Sequence, residues 1–378
     1  MAGHASPFLI IRTSHGVHGA AAAGGCNGFV RSLVWSVCVA SIAAAALPGR
    51  LHAKDAGGAH WALDFLRDEL GLHAEEVARV AAGEPVVRMV EDPGVREIAV
   101  LAAMPLPPGV VAWSADYAGV ERLRRVSPDF LAMGRLGRPP TAAELQAIEL
   151  EPRTVSQLSR CRQERCALNA AREDIERYVT AARSDDPTAA AHRAFREVLR
   201  HRLTSYQDGG DTTLPVLANR RWMLTTADAP SILLARRPSL AQLAPALDAR
   251  LRIAGPRQED VYYWLREKMW RREVVGLYHG VFDDARRADG GRRRVLAEKL
   301  VYANHYLLGS LAVTGILEDA SGTYLFFLNR SETDNRGPFS VIERALANRL
   351  IGGRLRRQVT ALRDSLAPSA TLNARSDP

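Results

Sequence analysis

The sequence predicts an α+β fold, and three observations carry that reading. Between Pro256 and Leu328, apolar residues recur with a period of two in short segments joined by short turns, which makes the segments antiparallel neighbours in a sheet. From Thr141 to Arg250 the chain is rich in alanine and arginine and almost free of strand pattern. From Phe339 to Leu366 one apolar stripe recurs every three to five residues, the mark of a long helix at the C-terminal end.

Residues 1–53 read as a targeting leader. Arg31 precedes an uncharged run over 32–47, followed by a break at Pro48-Gly49 and a short polar stretch ending at Ala53. The run of ~16 residues is shorter than the ~20 that a spanning helix prefers. A periplasmic or secreted protein with its signal peptide cleaved near Ala53 is expected; an N-terminal membrane anchor is the alternative.

Residues 54–83 carry N-terminal helices. Trp61, Phe65 and Leu66 stand at helical spacing, and Glu75, Glu76, Val77 and Val80 form a second helix ended by Gly83. Residues 84–138 hold a strand at 86–90, a turn at Asp92-Pro93-Gly94, and an apolar strand at 98–104 closed by Pro105 and Pro107. A short helix over 109–117 and a strand at 130–133 complete this part.

Residues 139–255 form a helical insertion. Thr141 and Glu144 have capping-box spacing, helices are expected near 171–183 and 187–206, and Asp186-Pro187 starts the second of these. Pro238-Ser239 opens another helical patch through 247. Residues 256–367 return to strands at 260–265, 273–282, 295–302, 307–317 and 324–328. A turn is expected from Asp283-Asp284 to Gly290-Gly291. Segments 313–317 and 324–328 are apolar on both alternations, so that part of the sheet is covered on both faces. The final helix starts at Gly337-Pro338, is expected to bend at Gly352-Gly353, and gives way to a tail over 368–378.

Composition narrows the function. The formal charge is +8, but it is scattered arginine with acids interleaved, and the lysines are Lys54, Lys268 and Lys299. Nucleic-acid binding would need a basic stripe with exposed aromatics, so it is not expected; weak association with an anionic envelope surface fits the charge. Cys161 and Cys166 remain after the leader. In an oxidising compartment they are expected to form a disulfide closing a tight loop. A redox pair of thioredoxin type has two intervening residues, not four, and a metal pair lacks further ligands nearby. No zinc-protease, phosphate-loop, dinucleotide or nucleophile-elbow motif occurs, and no cofactor or metal is expected.

The order of elements resembles the START-like, or helix-grip, superfamily (SRPBCC). Residues 97–104 resemble its first strand, 107–117 its first short helix, 130–133 the opening of its second strand, 262–328 the rest of its sheet and 339–366 its long helix. The resemblance implies an antiparallel sheet gripping the C-terminal helix with an apolar cavity between them. The insertion over 139–255 is a large departure from that pattern. The chain also resembles a group of secreted bacterial proteins from which no activity carries over.

The best polar cluster lies in the late strands. Tyr278 and His279 sit on one strand, and Tyr302, Asn304, His305 and Tyr306 lie on or just after the next. In a cavity-bearing sheet, such side chains would orient a ligand headgroup, with Leu346 and Leu350 of the final helix lining the apolar part. The plainer reading makes both histidines satisfied sheet residues or strand-end surface residues. The expectation is an exported, non-catalytic protein that binds a hydrophobic small molecule or lipid. The alternatives are a hydrolase or cyclase acting on an apolar substrate with a His/Tyr site, and a non-catalytic envelope interaction protein.

Overall fold

Two short helices, α1 (Trp61–Asp68) and α2 (Ala74–Ala81), precede β1 (Val86–Met89) and β2 (Glu97–Pro105). Helix α3 (Tyr117–Arg125) leads into β3 (Phe130–Leu136). The helical block holds α4 (Pro152–Leu158), α5 (Arg172–Ala181) and α6 (Pro187–Gly209), with the short strands β4 (Val216–Leu217) and β5 (Leu224–Thr225). Then come β6 (Val261–Met269), β7 (Arg272–Arg286), β8 (Arg292–Ala303), β9 (Leu307–Asp319) and β10 (Gly322–Thr333). The computed structural model describes residues 60–90, 97–107, 116–218, 224–225, 251, 260–288, 290–333, 353 and 355–364.

Eight of these strands form one antiparallel sheet in the order β1-β2-β10-β9-β8-β7-β6-β3. The hairpins from β6 to β10 are the ones that the alternating pattern predicts. The long-range closures are β2 against β10 and β3 against β6. At the first of these, Glu97 and Arg330 form a buried ion pair between residues 233 positions apart in sequence.

Both faces of the sheet are covered, so its central strands are apolar on both alternations. In β9, every residue from Leu307 to Leu317 is buried. On the back face, α1 and α2 bring Leu66 and Val80 against Leu101, Leu317 and Phe326. The helical block brings Phe195, Leu199 and Tyr206 against Trp264, Leu277 and Tyr302 of the same face. Insertion and sheet therefore share a core, and Gly57–Pro378 is a single compact unit. On the front face, Val120 of α3 joins Leu355, Val359 and Leu362 over Met104, Ile316 and Leu325.

Local signals explain the helix ends. The Asp186 carboxylate accepts from the Ala189 N–H at 3.0 Å, and Pro187 occupies the first turn of α6. The helix runs on to Gly209, past the expected 206, and ends where Gly210 takes φ +67°. The Thr141/Glu144 capping box forms, with hydrogen bonds of 2.7 and 3.3 Å, on a single 3-10 turn at Ala143–Leu145. Cys161 and Cys166 are disulfide-bonded.

Two local expectations are corrected. Asp283 and Asp284 lie inside β7, not in the turn. Arg293 and Arg292 on β8 meet them at 2.9 and 2.6 Å, and this cross-strand charge pairing extends the ladder. The turn contracts to 287–291, with Gly290 at φ +87°. Asp116 begins a helix instead of ending one: its carboxylate accepts from the Gly119 N–H at 3.0 Å and caps α3. Residues 109–115 of the helix expected there lie outside the described residues. So do the leader over 1–53, the patch at 238–247 and the tail.

Of the expected C-terminal helix, residues 353 and 355–364 are described and are helical. Leu346 and Leu350 lie outside the described residues. Among the described residues, no helix is long and apolar enough to cross a membrane.

Candidate functional site

A cavity of about 110 Å³ lies on the front face, between the sheet, α3 and the helical segment 355–364. Its walls are mainly apolar: Leu265, Leu325 and Phe327 from the sheet, and Leu355, Val359 and Leu362 from the segment above. Strand alternation dictates the sheet contribution, because successive side chains point to opposite faces. On β6, Tyr263, Leu265 and Glu267 face the front, while Tyr262 and Trp264 belong to the back core.

Charged residues enter the cavity as well. The Asp116 cap fixes the start of α3, two turns before Arg124. The Arg124 guanidinium lies 3.0 Å from Glu298 Oε2 and 3.4 Å from the Tyr263 hydroxyl. The Tyr263 hydroxyl donates to the other Glu298 oxygen. Tyr263 and Tyr278 are direct cross-strand partners whose rings stack at 5.1 Å, and Arg124 sits 5.4 Å above the Tyr278 ring. Tyr278 fits because Gly276 is bare: a Cβ there would fall 2.6 Å from the tyrosine Cε2.

The environment sets the charge states. Burial opposes charge on Arg124, but Glu298 and Tyr263 outweigh it, so its pKa stands above the ordinary arginine value. Burial raises the pKa of Tyr263 and Tyr278, which stay neutral hydroxyl groups. Burial also raises the pKa of Glu267, with Arg124 acting against the rise and Glu298 adding to it. The cavity thus holds a fixed Arg124–Glu298–Tyr263 group beside a carboxyl biased toward its protonated form.

The residues singled out in the sequence do not converge. Tyr278 reaches the front cluster. His279 is fully buried on the back face, with its ring nitrogens 2.9 Å from the Tyr206 hydroxyl and 3.1 Å from Asp260, stacked on Tyr262 at 4.7 Å. Tyr302 is also in the back layer, where its hydroxyl donates to the Asn169 carbonyl at 2.7 Å and Arg202 covers its ring at 4.4 Å. Asn304 ties the β8–β9 turn to Val275. His305 and Tyr306 lie in that turn, where Tyr306 takes φ +59° and packs edge-on against Trp270 at 5.2 Å.

Arg124, Glu267 and Glu298 went unread in the sequence, although a signal was present. Glu298 stands between Leu296 and Leu300 on the same alternation, so a carboxylate occupies a core-facing position. No family model matches the sequence, and no curated protein matches it.

Proposed function

We propose that this protein is a non-catalytic carrier of a hydrophobic small molecule, held on the front face between the sheet and the C-terminal helical segment. The observation that carries this reading is the apolar-walled cavity with its polar group fixed on one side. Apolar walls reward burial at about 25 cal/mol per Å², and a few placed polar groups orient the occupant.

The cavity of about 110 Å³ is smaller than the roughly 300–1,000 Å³ of drug-sized sites. It suits a ring-sized or short-chain molecule; a lipid needs segment 355–364 to move outward. Gln358, which donates to the Ser127 hydroxyl at 2.6 Å, is the polar tie that such a movement would break. The layout of α3, the five-strand run β6 to β10 and a helical segment across the sheet supports the helix-grip resemblance. The Cys161–Cys166 bond supports an oxidising compartment and export with the leader removed near Ala53.

The His/Tyr hydrolase or cyclase reading is less well supported, because His279 has both ring nitrogens engaged on the face opposite the cavity. The test is mass spectrometry of organic extracts from purified protein, paired with calorimetric titration of small aromatic probes. Val359→Trp, which fills the cavity, is expected to abolish uptake while the circular dichroism spectrum is retained. Extracts that stay empty, together with no uptake of any probe, would overturn the carrier reading.

A further inference from the structure

We propose that the occupant of the front cavity is a small apolar amine, its ammonium group held by Glu267 and Glu298. This rests on the carrier reading and adds the chemical class of the ligand. The charged side chains lining the cavity, among the described residues, are Arg124, Glu267 and Glu298. Arg124 and Glu298 neutralise one another at 3.0 Å. Glu267 is left over: its carboxyl makes no hydrogen bond or ion pair to any described residue, and it lines the partly open, mainly apolar pocket. When it ionises, the cavity holds one uncompensated negative charge.

An uncompensated charge among apolar walls is unfavourable. Burial answers this cost by raising the Glu267 pKa above the ordinary glutamate value. An ammonium group resolves it differently, supplying the missing positive charge. It also brings three N–H donors to Glu267 and to the acceptor capacity that Glu298 does not spend on Arg124 and Tyr263. An anionic headgroup would meet two carboxylates and an arginine already committed. A hydroxyl would be accepted but would gain no charge pairing.

The size fits a single ring. The volume of about 110 Å³ is near that of an engineered apolar cavity of about 150 Å³ that binds benzene.

The groups facing Glu267 are Arg124 from α3, Glu298 from β8 and Tyr278 from β7. Segment 355–364 contributes Gln358 and apolar side chains to the lining, and its Arg356 and Arg357 are exposed. An amine that binds at about pH 4.5, the ordinary glutamate value, therefore displaces a proton from Glu267, whose burial holds its pKa above that value.

The experiment is calorimetric titration of the purified chain with three near-isosteric probes: benzylamine, benzyl alcohol and benzoate. Benzylamine is expected to bind at least about tenfold more tightly than benzyl alcohol, and benzoate most weakly. Glu267→Gln is expected to bring benzylamine down to the level of benzyl alcohol. With the unaltered protein at about pH 4.5, the heat of benzylamine binding should vary with the ionisation enthalpy of the buffer, reporting proton release. Benzyl alcohol or benzoate binding as tightly as the amine, or an amine heat independent of buffer, would overturn the amine assignment and leave the carrier reading standing. Failure of all three probes to bind would overturn the amine assignment, and with extracts that stay empty it would remove the carrier reading as well.

Discussion

Glu298 and Lys299 are consecutive residues of β8, both buried, and they serve opposite layers of the molecule. The Glu298 carboxylate meets Arg124 on the front face at 3.0 Å. The Lys299 ammonium pairs with Asp211 on the back face and donates to the Leu251 carbonyl at 2.8 Å. One strand therefore delivers a negative charge to one core and a positive charge to the other, through nothing more than the alternation of side chains.

Removing one partner of the back-face pair takes the Lys299–Asp211 ion pair away from the charge that remains. Lys299→Met is expected to cost about 3–5 kcal/mol, measured as a lower midpoint in urea unfolding. Replacing Asp211 as well, by Leu, should recover much of that loss, because the pair largely cancels its own desolvation cost. Binding in the front cavity should persist in the double variant.

Glu267 makes stability depend on pH. Its pKa in the folded protein stands above the ordinary 4.5, because burial disfavours the carboxylate. The folded state thus keeps a proton that the unfolded chain releases, and stability falls as pH rises from that value through the raised one. Glu267→Gln has no such term. It should match the parent near pH 4 and be the more stable of the two at neutral pH. Urea unfolding across that range reads the difference directly, and an equal slope in both proteins would contradict it.

Gly315 on β9 lies under the Phe326 ring of β10, its direct cross-strand partner, and a Cβ at Gly315 would run into that ring. Gly315→Ala is expected to destabilise by about 1–3 kcal/mol through overpacking. Phe326→Leu in the same chain should relieve part of this, giving a favourable coupling in a double-mutant cycle.

The Cys161–Cys166 bond closes a short loop. Its loss in a double serine variant is expected to cost about 2 kcal/mol by the chain-entropy estimate. The tertiary near-ultraviolet signal should survive at room temperature, with the thermal midpoint lowered.

The hairpins from β6 to β10 were legible because their apolar residues alternate and their turns are short. Asp283 and Asp284 misled because aspartate favours turns, and what makes them strand residues is Arg292 and Arg293 across the hairpin, a relation invisible until the register is known. Tyr278 and His279 could have been separated from sequence alone, since neighbours on a strand face opposite ways. The front group was harder to see. Arg124, Glu267 and Glu298 lie far apart in the chain, and only the pairing of β6, β7 and β8 beneath α3 brings them together.

The ion pair between Glu97 and Arg330 sets an order of events for a chain made from its N-terminal end. A ribosome delivers the acid of that pair, and the strand carrying it, long before the matching base exists. Until β10 emerges, β2 lacks its β10 neighbour and offers an open strand edge, the kind of surface that recruits neighbouring chains. The sheet is therefore completed only once β10 has been made. A product terminated before Arg330 should precipitate instead of surviving as a smaller working protein.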